Sequence, residues 1–169
     1  MKRILLDTNV YGLLIFDRPF VDKLQVLIPS FFVVYSTSLI RKELRDISKD
    51  AKAEGRSKRN LVLSVHDSFI RKSNHMLEVN EFIILLANKY FEEYKKGGGA
   101  LSIIEMLPDF TLVACATLYT LDLVVSNDNR TMLSGIAKRA YNVVNNKINF
   151  NTPTFYTYNS FREYVGRFQ

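Results

Sequence analysis

The stretch PDFTLVACATLYTLDLVVSND, residues 108–128, decides the fold. Between Asp109 and Asp122 it carries no charge, and Phe110, Leu112, Val113, Cys115 and Leu118 distribute apolar side chains all round a helical wheel. That pattern predicts a buried helix over 109–121, begun just after Pro108. Leu123-Val124-Val125 is a short apolar run of the kind that forms a buried parallel strand. About 12 helical residues cover ~18 Å. The strand from Asp122 to Ser126 covers ~17 Å in the opposite sense. The chain goes down one length and returns by the same length, so Asp109 and Asp128 end at one edge of the sheet.

Outward from that stretch, the runs at 3–6 and 31–35 read as further buried strands. The aromatic and β-branched run at 154–158 reads as a fourth. Helical patterns occupy 38–48, 58–72, 78–96, a segment after Arg130, and 160–167. Strands alternating with helices mean an α/β fold with a mostly parallel sheet of four to five strands. Gly97-Gly98-Gly99 reads as a flexible joint between two helices, since no Gly-Lys-Ser/Thr follows to make a phosphate loop.

Composition narrows the class. The 169 residues suit one domain, 1–169, in which ~70% of the unfolded surface is removed from water. With 47% hydrophobic and 24% charged residues the chain is not disordered. One Cys excludes an internal disulfide framework and a Cys-cluster zinc site. The apolar run after Met1-Lys2-Arg3 is too short for a secretory leader. The longest uncharged run, 26–40, is too short and polar to span a bilayer. A cytoplasmic protein with no membrane association is expected. The net charge of +6 points toward polyanionic partners.

Against that basic background, four acids stand out. Ligands of open α/β sheets bind outside the carboxyl ends of the strands, and Asp7 directly follows the first strand. Taken alone, Asp7-Thr8-Asn9 could equally cap the next helix. Wound as a helix, residues 39–48 put Leu39, Ile40, Leu44 and Ile47 on one stripe with Glu43 in its middle. A carboxylate facing the core must be paired or bound to a metal. Asp109 and Asp128 have already been placed at the same edge as Asp7, although a helix N-terminus and a turn would each account for one of them. Four carboxylates in one place repel one another. A hard dication removes the repulsion, and oxygen ligands favour Mg²⁺ or Mn²⁺ over zinc. Such sites perform phosphodiester chemistry.

The ordered set Leu-Leu-Asp-Thr-Asn (Asp7), Glu-Leu (Glu43), Pro-Asp-Phe-Thr-Leu-Val-Ala-Cys-Ala (Asp109) and Leu-Val-Val-Ser-Asn-Asp-Asn-Arg (Asp128) resembles the PIN-domain nucleases over essentially the whole chain. The resemblance implies a three-layer α/β/α domain around a parallel sheet. It implies Mg²⁺- or Mn²⁺-dependent cleavage of single-stranded RNA, and often a homodimer. Many small members are toxins held inactive by a small antitoxin protein, and others process ribosomal or transfer RNA. A catalytically inactive RNA- or protein-binding module is a further alternative. Carried over, Asp7, Glu43, Asp109 and Asp128 match the catalytic, metal-binding acids. Thr8, Asn9 and Ser126 match the polar positions that orient them. The usual Thr-x-Asp motif here reads Ser126-Asn127-Asp128.

Residues 41–59 hold eight basic and four acidic side chains. Arg41, Lys42 and Arg45, with Arg130 after the last acid, are candidates to hold RNA phosphates, although mixed charges also decorate exposed helix faces. Seven aromatics in the last 20 residues read as a strand and helix closing the core. His66 and His75 are expected to be non-catalytic, Cys115 a small buried hydrophobe. Asp122 falls at the wrong end of its strand, and Glu105 is a possible extra acid.

Overall fold

The computed structural model describes residues 1–28, 30–70 and 73–168. The elements run β1 (Lys2–Leu6), α1 (Thr8–Leu14), α2 (Arg18–Leu27), β2 (Phe32–Thr37), α3 (Ser38–Asp46), β3 (Lys52–Ala53), β4 (Arg56–Ser57), α4 (Lys58–Phe69), a 3-10 turn (Ser73–His75), β5 (Met76–Leu77), α5 (Glu81–Lys96), α6 (Ile103–Leu118), β6 (Leu123–Val125), α7 (Gly135–Lys147), β7 (Thr154–Tyr156) and α8 (Tyr158–Gly166). Five strands form one sheet in the order β5-β2-β1-β6-β7, and every pairing is parallel. β3 and β4 make a separate antiparallel ribbon.

Handedness explains the layers. From β1 the chain steps one way to β2 and β5, then crosses back over β1 to reach β6 and β7. Right-handed crossovers put the connections of the two directions on opposite faces. Accordingly α1 to α4 pack against one another, and α5 to α7 form a second group. The chain has the expected PIN-like α/β/α architecture. α8 returns to the first group, where Phe161 packs edge-on against Phe20 and Phe32. The C-terminal aromatics therefore close the core. Phe155 stacks on Tyr141, and Tyr156 stacks on Tyr164.

The core lies on both faces of β1 and β6, where Ile4, Leu5, Leu6, Val124 and Val125 are fully buried. α6 is buried all round, from Phe110 to Thr117. Cys115 sits among these residues, its thiol pushed up to about 12 by burial, as an inert hydrophobe. No helix among the described residues is long and apolar enough to cross a membrane.

Three expectations need correction. α6 starts at Ile103, six residues before Asp109, through a capping box in which Ser102 and Glu105 satisfy each other's backbone. Pro108 lies inside this helix. Its missing N–H leaves the carbonyl of Ile104 without a helical partner. Ile104 is 84% exposed, so water can take that place. The helix expected over 58–72 ends at Phe69, and residues 71 and 72 lie outside the described residues. The glycine joint is tight rather than loose. Gly98 has φ +87°, and a Cβ on Gly99 would lie 2.1 Å from the Tyr94 ring, so only glycine fits that approach.

Candidate active site

The chain reverses direction across the sheet between β1 and β6, which is where an open α/β sheet forms its crevice. Asp7 ends β1, and Ser126 ends β6 beside it. Asp7 caps α1, accepting from the Thr8 backbone N–H at 2.7 Å, so the capping role and the position in the crevice coincide. Its carboxylate also accepts from Asn9 Nδ2 and, at 2.7 Å, from Ser126 Oγ. Ser126 is fully buried and in turn accepts from the Asp128 backbone N–H at 3.0 Å. Asn9 Oδ1 accepts from the Asn127 N–H at 3.0 Å, and Asn127 Oδ1 accepts from the Tyr158 N–H at 2.8 Å. These bonds latch the loops after β1 and β6 together and tie both to α8.

Asp109 and Asp128 are joined through one residue. The Thr131 hydroxyl donates to Asp109, while the Thr131 backbone N–H donates to Asp128 Oδ1 at 2.8 Å. The Arg130 N–H adds a 2.9 Å bond to the same oxygen. The two acids thus share one edge, although α6 begins earlier than expected. The length that matters for this juxtaposition runs from Asp109, wherever the helix begins. Glu43 differs from expectation in another way. It is exposed, not core-facing. Ile40 and Leu44 take the buried side of α3, and Glu43, on their flank, overhangs the sheet edge. There it accepts from the Thr8 hydroxyl at 2.5 Å.

The electrostatics of the four acids are unusual. Among the described residues none of them forms an ion pair. Burial, aided by the charges of Glu43 and Asp128, raises the Asp7 carboxyl to about 6. Burial, aided by Asp7, Asp128 and Glu43, raises Asp109 to about 7. Asp128, held by the Thr131 and Arg130 amides, titrates below the usual carboxylate range even though burial opposes this. Among the described residues, no group of three or more His, Cys, Asp or Glu side chains stands close enough together to hold a metal ion. One oxygen each of Glu43, Asp109 and Asp128 accepts no hydrogen bond among those residues. The donors are all oxygens with unused lone pairs, the chemistry a hard dication takes, but the four carboxylates stand farther apart than a closed metal site requires.

The remaining candidates separate. Arg41 is held by both oxygens of Asp67, and Arg130 pairs with Glu105 at 2.7 Å. Lys42 and Arg45 are exposed and form no ion pair among the described residues. Asp122 lies at the opposite sheet edge, paired with Lys2 at 3.1 Å and bonded by the Arg3 N–H at 2.8 Å. His66 is fully buried in a chain running from Ser36 through His66 to Asp67 and Arg41. Thr131 and Asn127 were missed as site residues. The Asp-x-x-Thr spacing of Asp128 and Thr131 is the local signal for the first, since Asp caps commonly bond the backbone three residues on.

No family model matches the sequence, and no curated protein matches it significantly. Solved structures do. A chain of VapBC2 from Rickettsia felis, bound to a DNA fragment from their promoter, superposes with a TM-score of 0.59 at 12% identity, over 92% of this chain and 98% of that one. A chain of FitAB bound to IR36 DNA gives 0.54 at 17% identity, over 92% and 94%. A chain of FitAcB from Neisseria gonorrhoeae gives 0.52 at 21%, over 80% and 93%. At these identities the likeness is one of fold, and the chain has the PIN-like fold that the sequence resemblance implied.

Proposed function

We propose that the chain is a PIN-type endoribonuclease that cleaves single-stranded RNA with Mg²⁺ or Mn²⁺ held by Asp7, Glu43, Asp109 and Asp128. One observation carries the reading. Four acids gather at the sheet's reversal point, none of them in an ion pair among the described residues, in a protein of net charge +6. A bound dication supplies a Lewis acid for the phosphodiester oxygens and offsets the repulsion between acids and polyanion. The chain's own residues do the rest. Ser126 and Asn9 orient the Asp7 carboxylate, Thr8 orients Glu43, and Thr131 holds Asp109 and Asp128 in register. His66 is sealed away from this edge and serves as no base.

The likeness to chains of VapBC2 and FitAB, two assemblies solved on DNA, supports a place in a toxin–antitoxin pair. On that reading the chain is the toxin, a small antitoxin is its partner, and a homodimer is its cytoplasmic form. Incubation of defined single-stranded RNAs with the chelator-stripped protein tests the activity. Cleavage restored by Mn²⁺ or Mg²⁺ and lost in Asp7→Asn and Asp128→Asn supports it. Metal-independent or unchanged cleavage in those variants removes it. The open arrangement of the carboxylates favours one rival, a binding module with a vestigial site. Failure of Mn²⁺ to raise thermal stability selects that rival, because a ligand of the folded state must stabilise it.

A further inference from the structure

The connection from α3 to α4 breaks several local preferences at once. β3 and β4 pair Lys52 with Ser57 and Ala53 with Arg56, a ribbon too short to be stable on its own. Its turn, Glu54-Gly55, has φ of 51° and 76°. Tight hairpins of this backbone favour Asn, Asp or Gly at the first position, and Glu54 holds it against the steric preference of an L side chain. Buried Ala53 anchors the ribbon to the body, and a 2.8 Å bond from the Lys58 N–H to the Ala51 carbonyl closes its base. α4 then opens on Lys58 and Arg59 with no acid in its first turn, although the positive end of a helix dipole favours anions there.

Around the turn, Lys49, Lys52 and Arg56 are exposed. None of these five cations forms an ion pair among the described residues, and they outnumber the exposed acids of the same stretch, Asp50 and Glu54. Gathered like charges repel, and a cationic first turn adds to the dipole instead of cancelling it. Local rules broken together mark functional surface. The position is also informative. From Glu43 to the end of α3 is three residues, about 4.5 Å of helix, and residues 47–51 join that end to the ribbon.

We propose that the β3–β4 ribbon and the first turn of α4 grip the phosphate backbone of single-stranded RNA and lead it along α3 to the acid edge. The direction toward cleavage rests on the nuclease reading above, while the grip itself does not. Contacts to phosphate position a strand without reading its bases, so the grip is independent of sequence and sensitive to salt.

The test is fluorescence anisotropy of a labelled single-stranded oligo(U) with the full chain in chelator, over a range of KCl concentrations. Lys52→Glu with Arg56→Glu is compared with Lys138→Glu with Arg139→Glu, an equal charge change on the exposed face of α7. Circular dichroism verifies that both variants fold. The ribbon variant should bind about tenfold more weakly, and its slope of log K against log salt should shrink by about 1.4, two phosphate contacts at ~0.7 each. The α7 variant should stay within about twofold of wild type. An oligo(dT) probe should show the same deficit as oligo(U). Equal losses in both variants, no loss in the ribbon variant, or a deficit confined to RNA would overturn the proposal. A wild type that binds through the ribbon but never cleaves would remove the nuclease reading and leave the grip.

Discussion

Two polar clusters lie within one corner of the molecule and are built on opposite terms. Beneath α3, Ser36, His66, Asp67 and Arg41 form a chain of complementary groups. His66 Nε2 lies 2.8 Å from Ser36 Oγ, and Nδ1 lies 2.9 Å from Asp67, which also binds Arg41. Arg41 holds the Asp67 carboxyl below its ordinary range, and burial holds His66 below its own, so the imidazole is neutral near pH 7. At the sheet edge, Asp7, Glu43, Asp109 and Asp128 have hydroxyl and amide partners but no ion pair among the described residues. Tyr11 packs on His66 and feels the charges of both Asp67 and Asp7, marking how near the clusters are. The first cluster completes itself and stabilises the fold. The second is left with excess negative charge, the condition under which a ligand adds most.

The clusters should therefore answer substitution with opposite signs. Asp7→Asn should lower RNA cleavage by at least ~100-fold, more than loss of a residue that merely orients a metal ligand. The same variant, without metal at pH 7.5, should be more stable than wild type by about 1 kcal/mol, since it removes a buried charge near like charges. Denaturant titration and a cleavage assay on one preparation check both. His66→Ala should instead destabilise by about 3 kcal/mol, through a cavity and an unsatisfied Ser36 hydroxyl. A stabilised His66→Ala or a destabilised Asp7→Asn would erase the distinction between the clusters.

Acidity sharpens it further. Asp7 and Asp109 titrate at about 6 and about 7 in the fold, against 3.8 when unperturbed. Between those limits the folded state holds more protons than the unfolded chain, so stability falls as pH rises. The metal-free protein should lose a few kcal/mol of unfolding free energy between about pH 4 and pH 7. Asp7→Asn should flatten the lower part of that slope, and saturating Mn²⁺ should cancel it near pH 7. The smallest expected effect belongs to Thr131→Val. Removing the hydroxyl that bridges to Asp109 should weaken Mn²⁺ binding about tenfold, with stability changed by less than about 1 kcal/mol.

The sequence was most informative where burial and period agree. β1, β6 and α3 fall within a few residues of their expected places because short apolar runs and a clear stripe have few alternatives. The start of α6 carries two competing signals: Ser102-Ile103-Ile104-Glu105 is a capping signature, while Pro108 also suits a first helical position. Glu43 could not be read from a helical wheel. A wheel gives direction about the helix axis but not where the sheet beside it ends. β3, β4 and β5 have two residues each and fall below any periodic signal. The nearness of Asp109 and Asp128 depends on matched lengths rather than on helix ends, and Thr131 joins the two. The bond from Thr131 to Asp109 and the His66 chain are tertiary facts, made by residues far apart in the sequence, as in the 30 positions between Ser36 and His66.

The most direct test of the account is calorimetric titration of Mn²⁺ into chelator-stripped protein at pH 7.5, beside the Asp7→Asn variant. The expected result is saturable binding to the wild type, with a matching rise in Tm, weakened by at least ~100-fold in the variant. Absence of saturable heat and of any Tm shift in the wild type, or equal binding in both proteins, would contradict the assignment of the acid edge as a metal site.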